Sequence, residues 1–291
     1  MGTGHIILID SFSALMCVME HFVQQGEDWI FRGQADAKWK LESSLQREYR
    51  KYTCSGCHKK QVDIYTAEKD LMEMGRRELM AFPDLTARLC DDLDIMAYIQ
   101  HYGGVTRLLD FTDSFSVALF FAMQGTGSEV ARVFCIKRRD INNGFSNRNE
   151  RREKALAAIK TSFPTSQVIS FAPTLLNERM VAQQGLFLIP FSLDEIIQDM
   201  VMKKLKLADI TSMDRKTFYE RKEVDYWMET FLRYSSLIII DIPNKLFVQT
   251  QEMLRKLNVS ANTLFPGVEG ICRSLNFLTS GYRHHSAFEK E

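Results

Sequence analysis

Short apolar segments of strand length recur at unequal intervals along this 291-residue chain, and that irregularity narrows its fold class more than any other feature. Residues 28–34, 131–137, 167–171, 186–190 and 237–242 are rich in β-branched and aromatic side chains, which pack well on a pleated surface. The intervals between them carry helical periodicity. Phe12, Leu15, Met19 and Phe22 share one stripe, with Gly26 as a stop signal. Further helices are expected over 44–82, broken near Cys54-Ser55-Gly56-Cys57 and ended by Pro83, and over 92–100, 116–123, 177–184, 193–204, 221–233 and 244–257. Residues 138–154 lack apolar periodicity and read as a loop running into a charged helix. The regular spacing of a doubly wound βαβ fold is absent. The pattern therefore predicts an α+β single domain with a small mixed or split β-sheet surrounded by helices. No repeat or linker divides the chain, which reads as a helical lead-in over 1–27, a main domain over 28–280 and a polar tail over 281–291.

Charge and cysteine usage exclude several function classes. Lys and Arg total 37 against 37 Asp and Glu, a formal net charge of zero, so bulk electrostatic capture of nucleic acid or an anionic membrane is not favoured. No run approaches the length of a spanning helix, and the apolar start lacks a basic n-region and is interrupted by Asp10. Six cysteines at irregular spacing point to a reducing, cytoplasmic setting. Cys54-Ser55-Gly56-Cys57-His58 has no second Cys/His pair at zinc spacing, so no metal centre is expected. P-loop, GxSxG, HExxH and EF-hand patterns are missing, which removes support for the chemistries they carry.

Three polar clusters in apolar surroundings are the candidate site. Arg32 continues the aromatic run Trp29-Ile30-Phe31 and is followed by Gly33 and Gln34. A guanidinium in such a place either bridges a carboxylate, with Asp110 the candidate, or faces an anion such as a phosphate, where Gly33 would allow close backbone approach. The second cluster runs from His101 to Ser114 and holds Tyr102, Arg107, Asp110 and Thr112 within an apolar frame. Arg107 and Asp110 must be satisfied inside the fold or lie at a cleft. His101 suits acid–base work or a helix cap, and Tyr102 core packing or stacking on a ligand ring. The third cluster is Arg179 with Gln183, Gln184 and Gly185, where the carboxamides suit hydrogen bonds to a ribose or base, or simply end a surface helix.

In this order the clusters resemble the FRG domain family. The matching pieces are Trp29 to Gln34, His101-Tyr102-Gly103 with Thr106 to Thr112, Ala118 to Ala122, Arg179 with Gln183 to Phe187, and Thr263 to Gly270. The similarity spans about residues 28 to 275, with Gly104-Val105 standing where the family usually has a residue and a proline before Thr-Arg. The family occurs in mobile-element and phage-defence settings, which implies a toxin or defence effector, with a protein target or an antitoxin or immunity partner.

A weaker resemblance is to ADP-ribosyltransferases of the Arg-Ser-Glu type. It implies a related fold and NAD or a similar nucleotide as substrate, with no tightly bound cofactor, and cleavage or transfer at the glycosidic bond. Arg32 would hold the dinucleotide phosphate, with Arg107 as a second phosphate contact. Thr112 and Ser114 would support the ribose. The glutamate expected near Gln183-Gln184 is missing, leaving Asp110, Glu178 or Glu269 to supply negative charge. The open alternative is a non-catalytic nucleotide- or protein-binding module with a structural Arg/Asp network.

Overall fold

The computed structural model describes residues 3–24, 29–54, 62–87, 89–124, 127–160, 165–174 and 177–279. Gly26, the Gly56-Cys57-His58 stretch and the tail over 281–291 lie outside the described residues. Eight strands form one sheet: β1 (Thr3–Ile9), β2 (Trp29–Gln34), β3 (Leu109–Thr112), β4 (Val130–Lys137), β5 (Val168–Phe171), β6 (Gly185–Pro190), β7 (Arg215–Phe218) and β8 (Ser235–Pro243). Their order across the sheet is β5-β6-β3-β2-β4-β8-β1-β7. Neighbours are antiparallel from β5 to β8, and β1 is parallel to both β8 and β7. The expected mixed sheet is thus present.

The helices among the described residues are α1 (Phe12–Gln24), α2 (Ser44–Cys54), α3 (Ile64–Leu79), α4 (Pro83–Thr86), α5 (Asp92–His101), α6 (Phe115–Ala122) and α7 (Arg138–Ile141). They continue with α8 (Arg148–Lys160), α9 (Glu178–Ala182), α10 (Ile197–Lys204), α11 (Arg221–Tyr234), α12 (Phe247–Lys256), α13 (Ala261–Leu264) and α14 (Val268–Thr279). None is long and apolar enough to cross a membrane.

Alternation along the central strands builds two cores, because successive side chains leave a strand on opposite faces. Phe31, Val133, Cys135, Ile238 and Ile240 pack on one face against α1, α6 and α11 through Leu15, Ala118 and Phe231. Their neighbours Ile30, Phe134, Ile136, Leu237 and Ile239 pack on the other, against Ile197, Met200 and Val201 of α10. A third cluster joins α3, α5 and α8 to β5 and β6 through Met72, Met96, Ala155, Ile169 and Phe187.

Several elements depart from the pattern-based expectations. The helical reading of the lead-in holds for Phe12–Gln24 but not for Thr3–Ile9. Those residues form β1, and Ile7 and Ile9 are fully buried between β8 and β7. A strand covered on both faces reads as an apolar run rather than an alternation. Pro83 starts α4 instead of ending a helix, as a first helical position tolerates a residue without an N–H. Arg138–Ile141 is a short helix within the expected loop.

Two devices place the cleft described next. Strands β2 and β3 meet in register at one pair, Phe31 with Thr112, so the sheet splays between them. Helix α6 lies directly on β2: a Cβ at Gly33 would collide with the Ala118 carbonyl oxygen and sit 2.7 Å from the Ala122 nitrogen. Ser114 starts that helix by accepting from the Val117 N–H at 3.3 Å.

Candidate functional site

A cavity of about 410 Å³ opens where β2 and β3 separate, closed by α5 on one side and by the α9–β6 turn on the other. From the candidate residues it gathers Arg32, Gly33, Gln34, His101, Asp110, Thr112, Arg179 and Gln183. Phe31, Phe121, Phe187 and the exposed Trp39 give it an aromatic wall.

Arg32 spans the split. Its Nη1 donates to the main-chain oxygen of Asp110 at 2.6 Å and stands 3.9 Å from the Asp110 carboxylate. The Arg32 side chain is 19% exposed and that of Asp110 66%. The Arg32 Nε is buried with no hydrogen-bond partner among the described residues, and the same holds for the Gln34 Oε1. Burial pulls the Arg32 pKa down, and the Asp110 charge only partly offsets it. An under-compensated guanidinium at the wall of an aromatic cleft favours an anionic guest.

Asp110 keeps its place through the neighbouring helix. The Gln100 Nε2 donates to Asp110 Oδ1 at 2.8 Å, and the Thr106 hydroxyl donates to Gln100 Oε1. On the opposite wall, Arg179 lies over the Phe265 ring at 4.6 Å, donates to the His101 carbonyl at 3.5 Å and stands 3.6 Å from Glu269. Its pKa is lowered by burial, against the raising effect of Glu269. Burial and the nearby Arg179 charge also hold the His101 pKa below its ordinary value. Gln183 is fixed by its side-chain amide on the Leu264 carbonyl at 3.0 Å, and its own carbonyl accepts from the Thr112 hydroxyl at 2.7 Å.

The remaining candidates lie elsewhere. Arg107 is 1% exposed and forms a two-pronged pair with Glu68, itself 6% exposed, with Nε to Oε1 at 2.6 Å and Nη2 to Oε2. It also donates to the Pro190 carbonyl at 3.2 Å and does not line the cleft. Tyr102 is 70% exposed at the end of α5, against the rings of Tyr98 and His101. Ser114 is committed to capping α6. Gln184 adopts φ +47° at the turn into β6, where its carbonyl accepts from the Asp113 N–H. Glu269, in the first turn of α14, is clasped by Arg179 and by Arg273 at 2.8 Å, and reaches the cleft only through Arg179. Glu178, in the first turn of α9, is not among the cleft-lining residues. The missing Cβ of Gly33 lets β2 lie against the backbone of α6, and Gly33 also lines the cleft. Trp39, Gln100, Phe121 and Phe187 were not anticipated. Gln100 had a signal, since it directly precedes the His101-Tyr102-Gly103 motif at a helix end.

No curated protein and no solved structure matches the chain. The FRG domain family model matches residues 27–130, which supply Arg32, Gly33, Gln34, His101, Asp110 and Thr112, while Arg179 and Gln183 come from beyond that span; the chain carries an FRG domain.

Proposed function

We propose that the cleft binds a nucleotide, NAD or a relative of it, and that bond cleavage or transfer takes place at the glycosidic carbon. The observation that carries this reading is Arg32, a largely buried cation whose Nε has no partner among the described residues and whose strongest bond goes to a neutral carbonyl. With Arg179 it offers two guanidinium groups to a pyrophosphate, and guanidinium forks match phosphate oxygens in geometry. Trp39 and Phe121 offer flat surfaces to a base, and Gln34 and Gln183 offer carboxamides to ribose hydroxyls or a ring amide.

For the chemical step, the C1′–N bond breaks with its electron pair leaving on the nicotinamide ring, and the ribose passes through an oxocarbenium-like state. Asp110 is the cleft carboxylate that can stabilise that positive charge, and Gln100 orients it. Water or a nucleophile on a target protein then attacks C1′. In the setting of FRG domains such an activity suits a toxin or phage-defence effector.

Incubation of wild type and Arg32→Ala with NAD, followed by mass spectrometry for free nicotinamide and ADP-ribosyl adducts, tests the reading. Release by wild type alone is expected. Absence of both release and saturable NAD binding by folded wild type overturns it. Binding without product would favour the second reading, a non-catalytic nucleotide sensor, for which the absence of a glutamate beside Gln183 speaks.

A further inference from the structure

A second chemical cluster lies away from the cleft, between α1 and α11. Cys17 and His21 are four residues apart on α1 and therefore share one face of it. Both point at a single atom of α11: the Cys17 Sγ is 2.8 Å and the His21 Nε2 2.9 Å from Oδ1 of Asp225. The sulfur, nitrogen and carboxylate oxygen all lie within 4.8 Å of one another. Cys17 is buried, the His21 side chain is 12% exposed, and Asp225 is 48% exposed and opens the cluster to solvent.

We infer that Cys17, His21 and Asp225 form a binding site for a divalent metal ion of the zinc class. The donor set is one soft thiolate, one imidazole and one carboxylate, types that zinc accepts together in four-coordinate sites. Zinc–ligand bonds of roughly 2.0–2.3 Å place neighbouring donors about 3.3–3.5 Å apart. The Asp225 oxygen needs to move away from the sulfur and the nitrogen by about half an ångström or slightly more, and those two atoms already lie within 4.8 Å of each other, so rotamer-scale adjustment brings the three donors to coordination spacing. On binding, the Cys17 S–H proton leaves to solvent and the sulfur lone pair enters the metal's coordination shell. Thiolate, carboxylate and neutral imidazole then carry two negative charges, which balance a divalent cation. Arg221, whose Nε is 3.8 Å from Asp225 Oδ2, is itself paired with Glu20, so its charge is offset locally. Three protein donors leave the fourth position to water on the solvent side of Asp225. The ion would tie α1 to α11, and none of its three ligands lines the cleft.

Cobalt(II) titration of the full metal-free protein tests the site, because a tetrahedral cobalt–thiolate centre shows strong visible d–d bands and a near-ultraviolet sulfur-to-metal band. Wild type is expected to show both, and Cys17→Ser to lose the sulfur band. Asp225→Asn, at a half-exposed position that tolerates the amide, should bind at least about tenfold more weakly and serves if the Cys17 variant does not fold. A double Cys54→Ser/Cys57→Ser variant should retain the bands. No bands in wild type, bands unchanged in Cys17→Ser or Asp225→Asn, or bands lost in the double variant would overturn the assignment.

Discussion

Arg32 grips the backbone of Asp110 more closely than it grips its charge: Nη1 is 2.6 Å from the main-chain oxygen and 3.9 Å from the carboxylate. At the place where β2 and β3 separate, a side chain substitutes for ladder hydrogen bonds. The arrangement holds the gap open at a fixed width and leaves most of the positive charge uncompensated, which an isolated buried ion pair would not do.

The two arginines of the motif should respond differently to removal. Arg107→Ala strands Glu68 in the core and should lower unfolding free energy by about 3–5 kcal/mol in urea denaturation. Arg32→Ala should cost about 1–2 kcal/mol, the scale of one hydrogen bond from a charged donor, while abolishing nucleotide binding. Equal destabilisation would place Arg32 in the same structural category as Arg107.

Gly33→Ala tests the packing role of the glycine. The added methyl meets the backbone of α6, which cannot rotate away as a side chain would, so a loss of about 3 kcal/mol or more is expected. Thermal melts would read it as a clear fall in Tm. An unchanged Tm would mean that α6 shifts freely and that Gly33 is kept for the cleft.

Asp110→Asn retains the size and the hydrogen bond to Gln100 while removing the charge. Nicotinamide release should fall by at least about a hundredfold, as expected when charge stabilisation is withdrawn from a developing cation, with NAD affinity preserved. Glu269→Gln should leave the rate within a fewfold. The reverse pattern would move the carboxylate's role to Glu269.

Stability should decline on mild acidification partly through two histidines. His5 is held below the ordinary value of 6.5 by burial, and His101 by burial together with the Arg179 charge. Between those depressed values and 6.5 the unfolded chain binds more protons than the folded one, so stability is full above about 6.5 and falls as pH drops through the window. Urea midpoints across that range should show a shallower fall in His101→Gln, and a shallower one still when His5→Gln is added. Parallel curves for wild type and variants would exclude the contribution.

Strands flanked by strong apolar signals were legible in the amino-acid pattern, and β2, β4, β5, β6 and β8 appear within a few residues of their expected places. Strand β3 was not, because Leu109-Asp110-Phe111-Thr112 is too short to show a period and its chemistry reads as a polar network. Strand β7, Arg215-Lys216-Thr217-Phe218, is an edge strand whose polar residues face outward, so nothing apolar announces it. Among the candidate site residues, Arg32 and Arg107 look alike in sequence. What separates them is Glu68, 39 positions before Arg107 and on α3, which satisfies one guanidinium and not the other. Pairings between segments distant in the chain leave no local trace.

The placement of β1 also bears on how the molecule is made. Its partners at 215–218 and 235–243 emerge from the ribosome roughly 200 residues after it, so its isoleucines must wait unpaired through most of synthesis. The antiparallel strands that carry the cleft can meanwhile assemble from nearer neighbours. Nascent chains therefore pass through a stage in which the strands lining the cleft can pair while the parallel edge is open, and Arg179 and Gln183 gain their contacts with Phe265 and Leu264 only after β7 and β8 have emerged.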